Sequence, residues 1–505
     1  MAYQEFHDCI DENSAPSYTR SSRANDTALL KQYITAWDLP SRGIQSYDPF
    51  YTAAANGSLD VLRVLLDVHQ GNAHSASIEE RGFSLLHVAC QHAQIEIVNF
   101  LLDSDPPLGA VDDRDPEEWT PLMSAAYSTG AFGEPGADRG ASARDSVSFP
   151  TVIGTTSEGQ LVPQAEFTVL SQAIAGSSYG MIKRLLEHGA DVQKRLEYYS
   201  VGPGFWDDGV DVRDVTALHI GSRSWNVDGI RALLDHCHEG GLIFCRDSMD
   251  RLPLHWAAAG FVPGSEPSLL PENTLIQRIT STFELLVPED DKATTARLIN
   301  SRDKQGATPL HYAVQAHASC GSEGSNHAYH TIQWLCSRGA NAGIVDHRMQ
   351  TVLHRLAYAS LDGEPIDLNL INLLLAHGCP LETRDEDGET PLHILARHLR
   401  QAQAANMLIK YGARVDIVNK KGNLPLHEAT RAAIRPNQRW DGQRHKFVSL
   451  EDRIDAQNEV VEALLDAHGA CNVLNQPNGE VKTPRQLREE TIRTWKEMEA
   501  HNQRK

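Results

Sequence analysis

The chain of 505 residues is too long for one compact core, so its length predicts several domains or a repeat array. Its composition, 41% hydrophobic and 22% charged, excludes wholesale disorder. The formal net charge of -21 disfavours non-specific attraction to nucleic acid and to anionic membranes.

Neither a membrane span nor a secretory signal is indicated by the hydropathy pattern. No apolar run approaches the roughly 20 residues that a bilayer-spanning helix needs. The segment from Met1 to Glu5 lacks the basic-then-apolar pattern of a signal peptide. The eight cysteines include no Cys-x-x-Cys pair, which favours reduced, structural thiols. We therefore expect a cytoplasmic and/or nuclear protein that has no contact with membranes.

The N-terminal part of the chain divides into two predicted segments. Residues 1–24 are polar and are predicted to be disordered. Residues 25–46 contain an amphipathic helix with Leu30, Ile34 and Trp37 on one side, and we predict that it caps the array that follows.

One short phrase then recurs along the chain and marks a repeat. Its clearest copies are Thr308-Pro309-Leu310-His311 and Thr390-Pro391-Leu392-His393. Close variants begin at Ser84, Thr120, Thr216, Leu252, Thr351 and Leu424. Thr is a favourable N-cap, and Pro fits the first helical position because its missing N–H costs nothing there. Each copy therefore predicts the start of a short helix.

A second phrase follows most copies of the first. It is an apolar block that ends in a His-Gly or Gly-Ala turn, as in 182–190, 335–340, 371–378 and 463–470. The leucines have helical spacing, and the glycine supplies the left-handed residue that ends a helix. Each unit is therefore predicted to contain two helices joined by turns.

Together the two phrases resemble the ankyrin-repeat family over residues 47–473. The resemblance implies an all-α solenoid of about ten stacked helix-turn-helix units with projecting β-turn fingers. It also implies that the motif histidines form hydrogen bonds that tie neighbouring units together. The steps between motif leucines range from 34 residues (Leu392 to Leu426) to 56 (Leu254 to Leu310), against about 33 in the family. Insertions therefore interrupt the array.

The predicted insertions distinguish this array from a regular one. The Gly- and Ser-rich insertion 131–163 is predicted to be a mobile loop. The other insertions are 195–214, 260–275, 318–328 and 434–456. Residues 474–505 contain a last helix that begins near Thr483-Pro484, and we predict that it is the C-terminal cap.

Two insertions are candidate partner-binding sites. The segment 195–214 combines aromatic and acidic side chains and would present them to a basic partner; these are Tyr198, Tyr199, Phe205, Trp206, Asp207 and Asp208. The rings could equally fold back on the stack. The segment 431–446 is a basic-aromatic patch that contains Arg435, Arg439, Trp440 and Arg444. It could bind nucleic acid or a phosphopeptide, or be an ordinary solvated loop.

Nothing in the sequence predicts a catalytic residue, a metal site or a cofactor. Ten of the 23 histidines fall on motif positions or precede a helix-ending glycine. The cluster around His236, Cys237, His238 and Cys245 does not match a zinc spacing. There is no phosphate-binding loop, nucleophile elbow or His-Glu-x-x-His motif. We predict a protein that is not an enzyme.

The functional interpretation is a non-catalytic scaffold or adaptor that binds a protein of unknown identity through the concave face and fingers of the array. One alternative is an adaptor with a regulatory output, either transcriptional or ubiquitin-related. Another is an accessory factor or an enzyme of a metabolic pathway built on the repeat surface. Nucleic acid is not an expected partner.

Overall fold

The computed structural model divides into two compact units. The described residues of the first unit end at Leu242, and those of the second begin at Ile243. Apart from a few single positions, the structure describes residues 48–71, 84–92, 94–104, 119–127, 146–149, 165–198, 212–237, 241–260, 271–288, 291–317, 326–359, 365–432, 449–467 and 473–502.

In the first unit, short helices that begin at the repeated phrase alternate with second helices. The helices are α1 (Pro49–Asn56), α2 (Leu59–Gly71), α3 (Leu85–Gln91), α4 (Ile95–Asp103), α5 (Pro121–Tyr127), α6 (Val169–Ala173), α7 (Tyr179–Glu187), α8 (Ala217–Arg223) and α9 (Val227–His236). Two antiparallel pairs of strands accompany them, β1 (Ser146–Phe149) with β2 (Ala165–Thr168) and β3 (Leu196–Tyr198) with β4 (Val212–Val215).

The ends of α1 show why these segments begin and end where they do. The carboxylate of Asp48 accepts a hydrogen bond of 2.8 Å from the Phe50 N–H, and Pro49 follows at the first helical position. Gly57, at φ 73°, ends the helix in the left-handed conformation. The first helices α1, α3, α5, α6 and α8 then pack side by side in chain order. Their apolar faces are buried with those of the second helices, which forms the core of the unit.

The second unit repeats this arrangement. Its helices are α10 (Pro253–Ala258), α11 (Glu272–Leu286), α12 (Lys292–Ile299), α13 (Pro309–His317), α14 (Asn326–Ser337), α15 (Val352–Ala359), α16 (Leu368–Ala376), α17 (Pro391–Arg397), α18 (Ala402–Lys410), α19 (Pro425–Arg431), α20 (Leu450–Leu465) and α21 (Pro484–Asn502). The first helices α10, α13, α15, α17 and α19 form one row, which α21 extends, and α11, α14, α16, α18 and α20 form a second row.

The predicted all-α fold class, a stack of helix-turn-helix units, is confirmed within each unit. Eight of the described helices begin at or beside a copy of the first phrase, and α1 begins at the related sequence Asp48-Pro49-Phe50. The strands are short, two to a sheet, and form no larger sheet in the residues described.

Several predicted boundaries differ from the structure. The first turns of α11, α14 and α20 lie inside the segments 260–275, 318–328 and 434–456 that the sequence analysis treated as insertions. At α20 the reason is local, because the side chain of Ser449 caps the helix by accepting from the Asp452 N–H at 3.0 Å. Helix α12 was not predicted. In the segment 131–163, β1 replaces four residues of the predicted loop.

Other predictions on domain organisation fall outside the described residues. These are the disordered segment 1–24 and, apart from Thr27, the capping helix of residues 25–46. Helix α21 forms where the last helix was predicted and packs against α19 and α20. Its role as a cap stays a prediction.

Candidate partner-binding surface

Six turns of the second unit are built on one side chain, and we call these turns fingers 1 to 6. Each finger starts at an Asp or Asn that lies five residues before the N-cap position of a first helix or of α21. These six residues are Asp247, Asp303, Asp346, Asp385, Asn419 and Asn478. In finger 2, Oδ1 of Asp303 accepts 2.8 Å hydrogen bonds from the N–H groups of Gln305 and Ala307. The same pair of bonds recurs in the other five fingers. This satisfies backbone donors that would otherwise be lost at a tight turn.

Each finger is also joined to the one before it by a backbone hydrogen bond. The N–H of the residue after the leading Asp or Asn donates to a carbonyl of the preceding finger. The donor–acceptor pairs are Lys304 to Met249 at 2.9 Å, His347 to Gln305 at 2.7 Å, Glu386 to Arg348 at 2.9 Å, Lys420 to Asp387 at 2.9 Å and Gly479 to Lys421 at 3.0 Å. The six fingers therefore form one continuous row with fixed lateral spacing.

The motif histidines link each first helix to the next finger. In the copy at Thr308, Nδ1 of His311 accepts a 3.2 Å hydrogen bond from the Thr308 N–H. Because Nδ1 is an acceptor, the neutral ring carries its proton on Nε2, which faces the carbonyl of Gln350 at 3.3 Å. In the copy at Thr390, His393 faces the carbonyl of Asn423 in the same way at 3.1 Å. Burial is the main cause that lowers the pKa of both rings to about 4.

The second oxygen of the leading carboxylate holds a side chain on the first helix nine residues later. Asp303 Oδ2 accepts from the Tyr312 hydroxyl at 2.7 Å, and Asp247 Oδ2 accepts from Nε1 of Trp256 at 2.9 Å. In finger 3, Asp346 Oδ2 lies 2.6 Å from Nη2 of Arg355. The fingers and the first helices are therefore fixed to each other. We call the surface that they form together the inner face of the second unit.

An arginine between two carboxylates joins the last repeats across this face. Arg397 pairs with Glu389 on its own finger and with Glu428 on α19, the second pair at 3.1 Å. Burial raises the pKa of Glu389. Burial also opposes ionisation of Glu428, but Arg397 and Asn423 outweigh it and lower the pKa of that carboxyl. The arrangement holds an Arg side chain that is 36% exposed in one position on the inner face.

The titratable side chains of this surface are engaged with one another and with backbone groups. No group of three or more His, Cys, Asp or Glu side chains among them is placed to hold a metal ion. The buried rings of His311 and His393 are engaged with backbone groups on both nitrogens. The inner face instead presents part-exposed polar side chains, among them Arg355, Tyr358 and Arg397.

The candidate residues singled out in the sequence lie mostly outside the described chain. Tyr198 ends β3 and is paired with Val212 of β4, so the base of the segment 195–214 is a short hairpin. Not described are Tyr199, Phe205, Trp206, Asp207, Asp208, Arg435, Arg439, Trp440 and Arg444. Both candidate sites therefore stay predictions.

Projecting fingers were expected from the resemblance, but neither the hydrogen bonds that join them nor the Arg397 cluster was predicted from the sequence. A signal was present, because an Asp or Asn recurs five residues before each copy of the first phrase from Leu252 to Leu424 and before Thr483. That signal marks the turn, but the partners of Arg397 are 8 and 31 residues away in sequence. Only the stacking of repeats brings these three side chains together.

Comparison with known proteins identifies the repeat. The ankyrin-repeat family matches residues 20–112, 50–133, 321–419 and 356–437. The human transient receptor potential cation channel subfamily A member 1 is 28% identical over 184 residues, 36% of this chain and 13% of that protein. The probable 26S proteasome regulatory subunit p28 of Saccharomyces cerevisiae is 35% identical over 127 residues, 25% of this chain and 48% of that protein.

The chain thus matches less than half the length of each of these relatives. Both relatives are ankyrin-repeat proteins, which agrees with the family match. The predicted family is confirmed: the chain carries ankyrin repeats in both units. Among the residues that the structure describes, no helix has both the length and the apolar character needed to cross a membrane.

Proposed function

We propose that this ankyrin-repeat protein is a non-catalytic scaffold or adaptor that binds a protein partner through the fingers and the inner face of its second unit. Ankyrin repeats generally mediate protein–protein interaction and are typically non-catalytic. Within this chain we assign the binding of the partner to residues 246–482, where the finger row is continuous.

The observation that carries the proposal is that this surface is organised before any partner arrives. Backbone bonds fix the spacing of the fingers, and buried carboxylates hold Arg355 and Arg397 in place. Binding then costs little conformational entropy, because side chains that would have to be immobilised are already ordered. A buried network with no ligand-binding purpose would need no such row of part-exposed charged groups.

Two further observations support the proposal. The yeast relative is named as a regulatory subunit of a larger assembly, which is the kind of role we assign to this chain. Among the described residues, Cys90, Cys336 and Cys379 are free thiols, which favours a reducing compartment and hence the cytoplasm or nucleus.

The experiment is quantitative affinity purification of the full chain with mass spectrometry, compared between two charge-reversal variants. The test variant carries Lys420→Glu and Lys421→Glu, two exposed residues of finger 5. The control carries Arg278→Glu and Lys410→Glu, two exposed residues of the second helices α11 and α18. The net charge changes equally in both.

We expect specific partners to be lost from the finger variant and kept by the control. Loss of these partners from the control variant alone, or retention of the partners by both variants, would contradict binding at the fingers. Recovered ligase subunits or transcription components would favour the adaptor with a regulatory output. A small molecule that copurifies with both variants would favour the metabolic alternative.

A further inference from the structure

One position on each finger has the left-handed backbone conformation. It is the fourth residue of the turn, with φ between 58° and 77°, and is occupied by Asp250, Gly306, Met349, Gly388, Gly422 and Val481 in fingers 1 to 6. Three fingers use glycine, which adopts this conformation without strain. Asp tolerates it better than most other residues, whereas Met and Val do so only at a cost. The backbone of finger 3 is therefore strained at Met349.

The side chain at this strained position is exposed. Met349 has 49% of its surface accessible, although it is a large apolar residue that would ordinarily be buried. Strained backbone that presents an exposed apolar side chain is suited to a contact point, because the fold itself gains nothing from it. Val481 on finger 6 shares this feature, and the charge of the neighbouring residues distinguishes the two positions. Methionine also adapts its shape to different apolar partners.

Three basic side chains lie on or next to fingers 2 and 3 in a chain whose overall charge is -21. Lys304 on finger 2, Arg302 directly before finger 2 and Arg348 on finger 3 are all exposed. Arg302 donates to the carbonyls of Gly306 and Val345 at 3.1 and 2.8 Å, which orders the guanidinium without neutralising it. Arg348 is partly compensated by Glu386, at 3.8 Å on finger 4.

Acidic residues limit the patch on both sides. Asp250 is exposed on finger 1, and Glu386 and Asp387 are exposed on finger 4. The carboxylates within fingers 2 and 3, Asp303 and Asp346, are buried and held by Tyr312 and Arg355. The exposed surface of fingers 2 and 3 is therefore a basic island around one apolar side chain.

We propose that fingers 2 and 3 dock an acidic peptide segment of the partner that carries one large apolar side chain, seated on Met349 and flanked by carboxylates that face Lys304, Arg302 and Arg348. This inference rests on the proposed function and names the chemical class of partner. The apolar contact with Met349, from which water is excluded, supplies the affinity. The surrounding cations select the charge of the segment and steer its approach.

The test selects peptides from a random-sequence display library on the immobilised full chain. We expect enriched sequences that place Asp or Glu on both sides of Leu, Ile, Met or Phe. The most enriched peptide is then synthesised and its affinity measured for the wild type and for four variants, one of which is the double variant Lys420→Glu with Lys421→Glu. Lys304→Glu is expected to weaken binding at least tenfold, and the loss should shrink as salt is added.

The decisive variant is Met349→Gly, which gives finger 3 the residue that fingers 2, 4 and 5 already have. It removes the apolar contact and the backbone strain together. We expect binding to fall at least tenfold while the melting temperature is unchanged or higher. Val481→Gly is the matched control, since it makes the same change at the same position of finger 6, beside the acidic Glu480, and should leave the affinity unaltered.

The outcomes separate the two proposals. Two results would overturn the inference: enriched peptides that lack acidic residues, or peptides that bind Met349→Gly as tightly as they bind the wild type. Binding by the fingers would still stand if Lys420→Glu with Lys421→Glu weakens the binding of these peptides. Enriched peptides insensitive to every finger variant, or no enrichment above the blank surface, would overturn the proposed function and the inference with it.

Discussion

Nε2 of His393 lies 3.1 Å from the backbone carbonyl of Asn423 in the following finger, and Nδ1 of the same ring accepts from the Thr390 N–H. The ring is thus a neutral connector between two repeats. Equivalent contacts join His255 to Ser301, His311 to Gln350 and His354 to Glu389 at 3.1 to 3.3 Å. Each of these rings is buried, and burial lowers its pKa.

The first prediction is that acid destabilises the protein well above the pH at which carboxylates titrate. The folded pKa of these rings lies below the ordinary value of about 6.5, so the unfolded chain takes up more protons. For His311 and His393, whose pKa falls to about 4, the contribution to stability is complete above about pH 6.5 and is lost as pH falls toward about 4. Each of these two rings should remove on the order of 1.4 kcal/mol per pH unit in that window, as measured by urea unfolding.

A histidine variant supplies the control for this prediction. His393→Gln should flatten the pH dependence because one titrating ring is gone, whereas replacement of the exposed His377 by Ala should leave the slope unchanged. An identical slope for wild type and His393→Gln would contradict the assignment of the ring as neutral.

The second prediction concerns the arginine between Glu389 and Glu428. Arg397→Met should lower the free energy of unfolding by about 1–3 kcal/mol, because two mostly buried carboxylates lose their shared partner while the Arg itself was part-exposed. The difference from wild type should be smaller at pH 5 than at pH 7.5, since the stranded carboxyls can then take up protons. A difference that does not change with pH would argue against stranded charge as its cause.

The third prediction is a reciprocal pair of substitutions at the left-handed finger position. Val481→Gly should raise the free energy of unfolding by about 0.5–1 kcal/mol, because relief of strain exceeds the extra chain entropy of glycine. Gly422→Val should lower it by at least about 2 kcal/mol, since its Cβ would lie 2.7 Å from the backbone N of Gly479. Thermal melts of the two variants should therefore shift in opposite directions.

The fourth prediction tests the row of second helices. The rings of Phe283 on α11 and Trp334 on α14 stack with centroids 4.9 Å apart, and Phe283 is fully buried. Phe283→Ala should cost about 3–5 kcal/mol through the cavity that it leaves. The exposed Ile95, replaced by Ala, is the control and should change stability by less than about 0.5 kcal/mol. Equal effects of the two changes would mean that α11 and α14 do not share a core.

The sequence by itself determined the local pieces of this protein. Thr390-Pro391 starts a helix and Gly412 ends one because capping and backbone freedom act within a few residues, and the repetition of such signals predicted the fold class and the family. Only the tertiary structure decided which side chains meet. Arg397 and Glu428 are 31 residues apart, and the strain at Met349 exists only because its finger is fixed between two others. Contacts between repeats depend on stacking distance and on the lengths of the insertions, and no local signal encodes these.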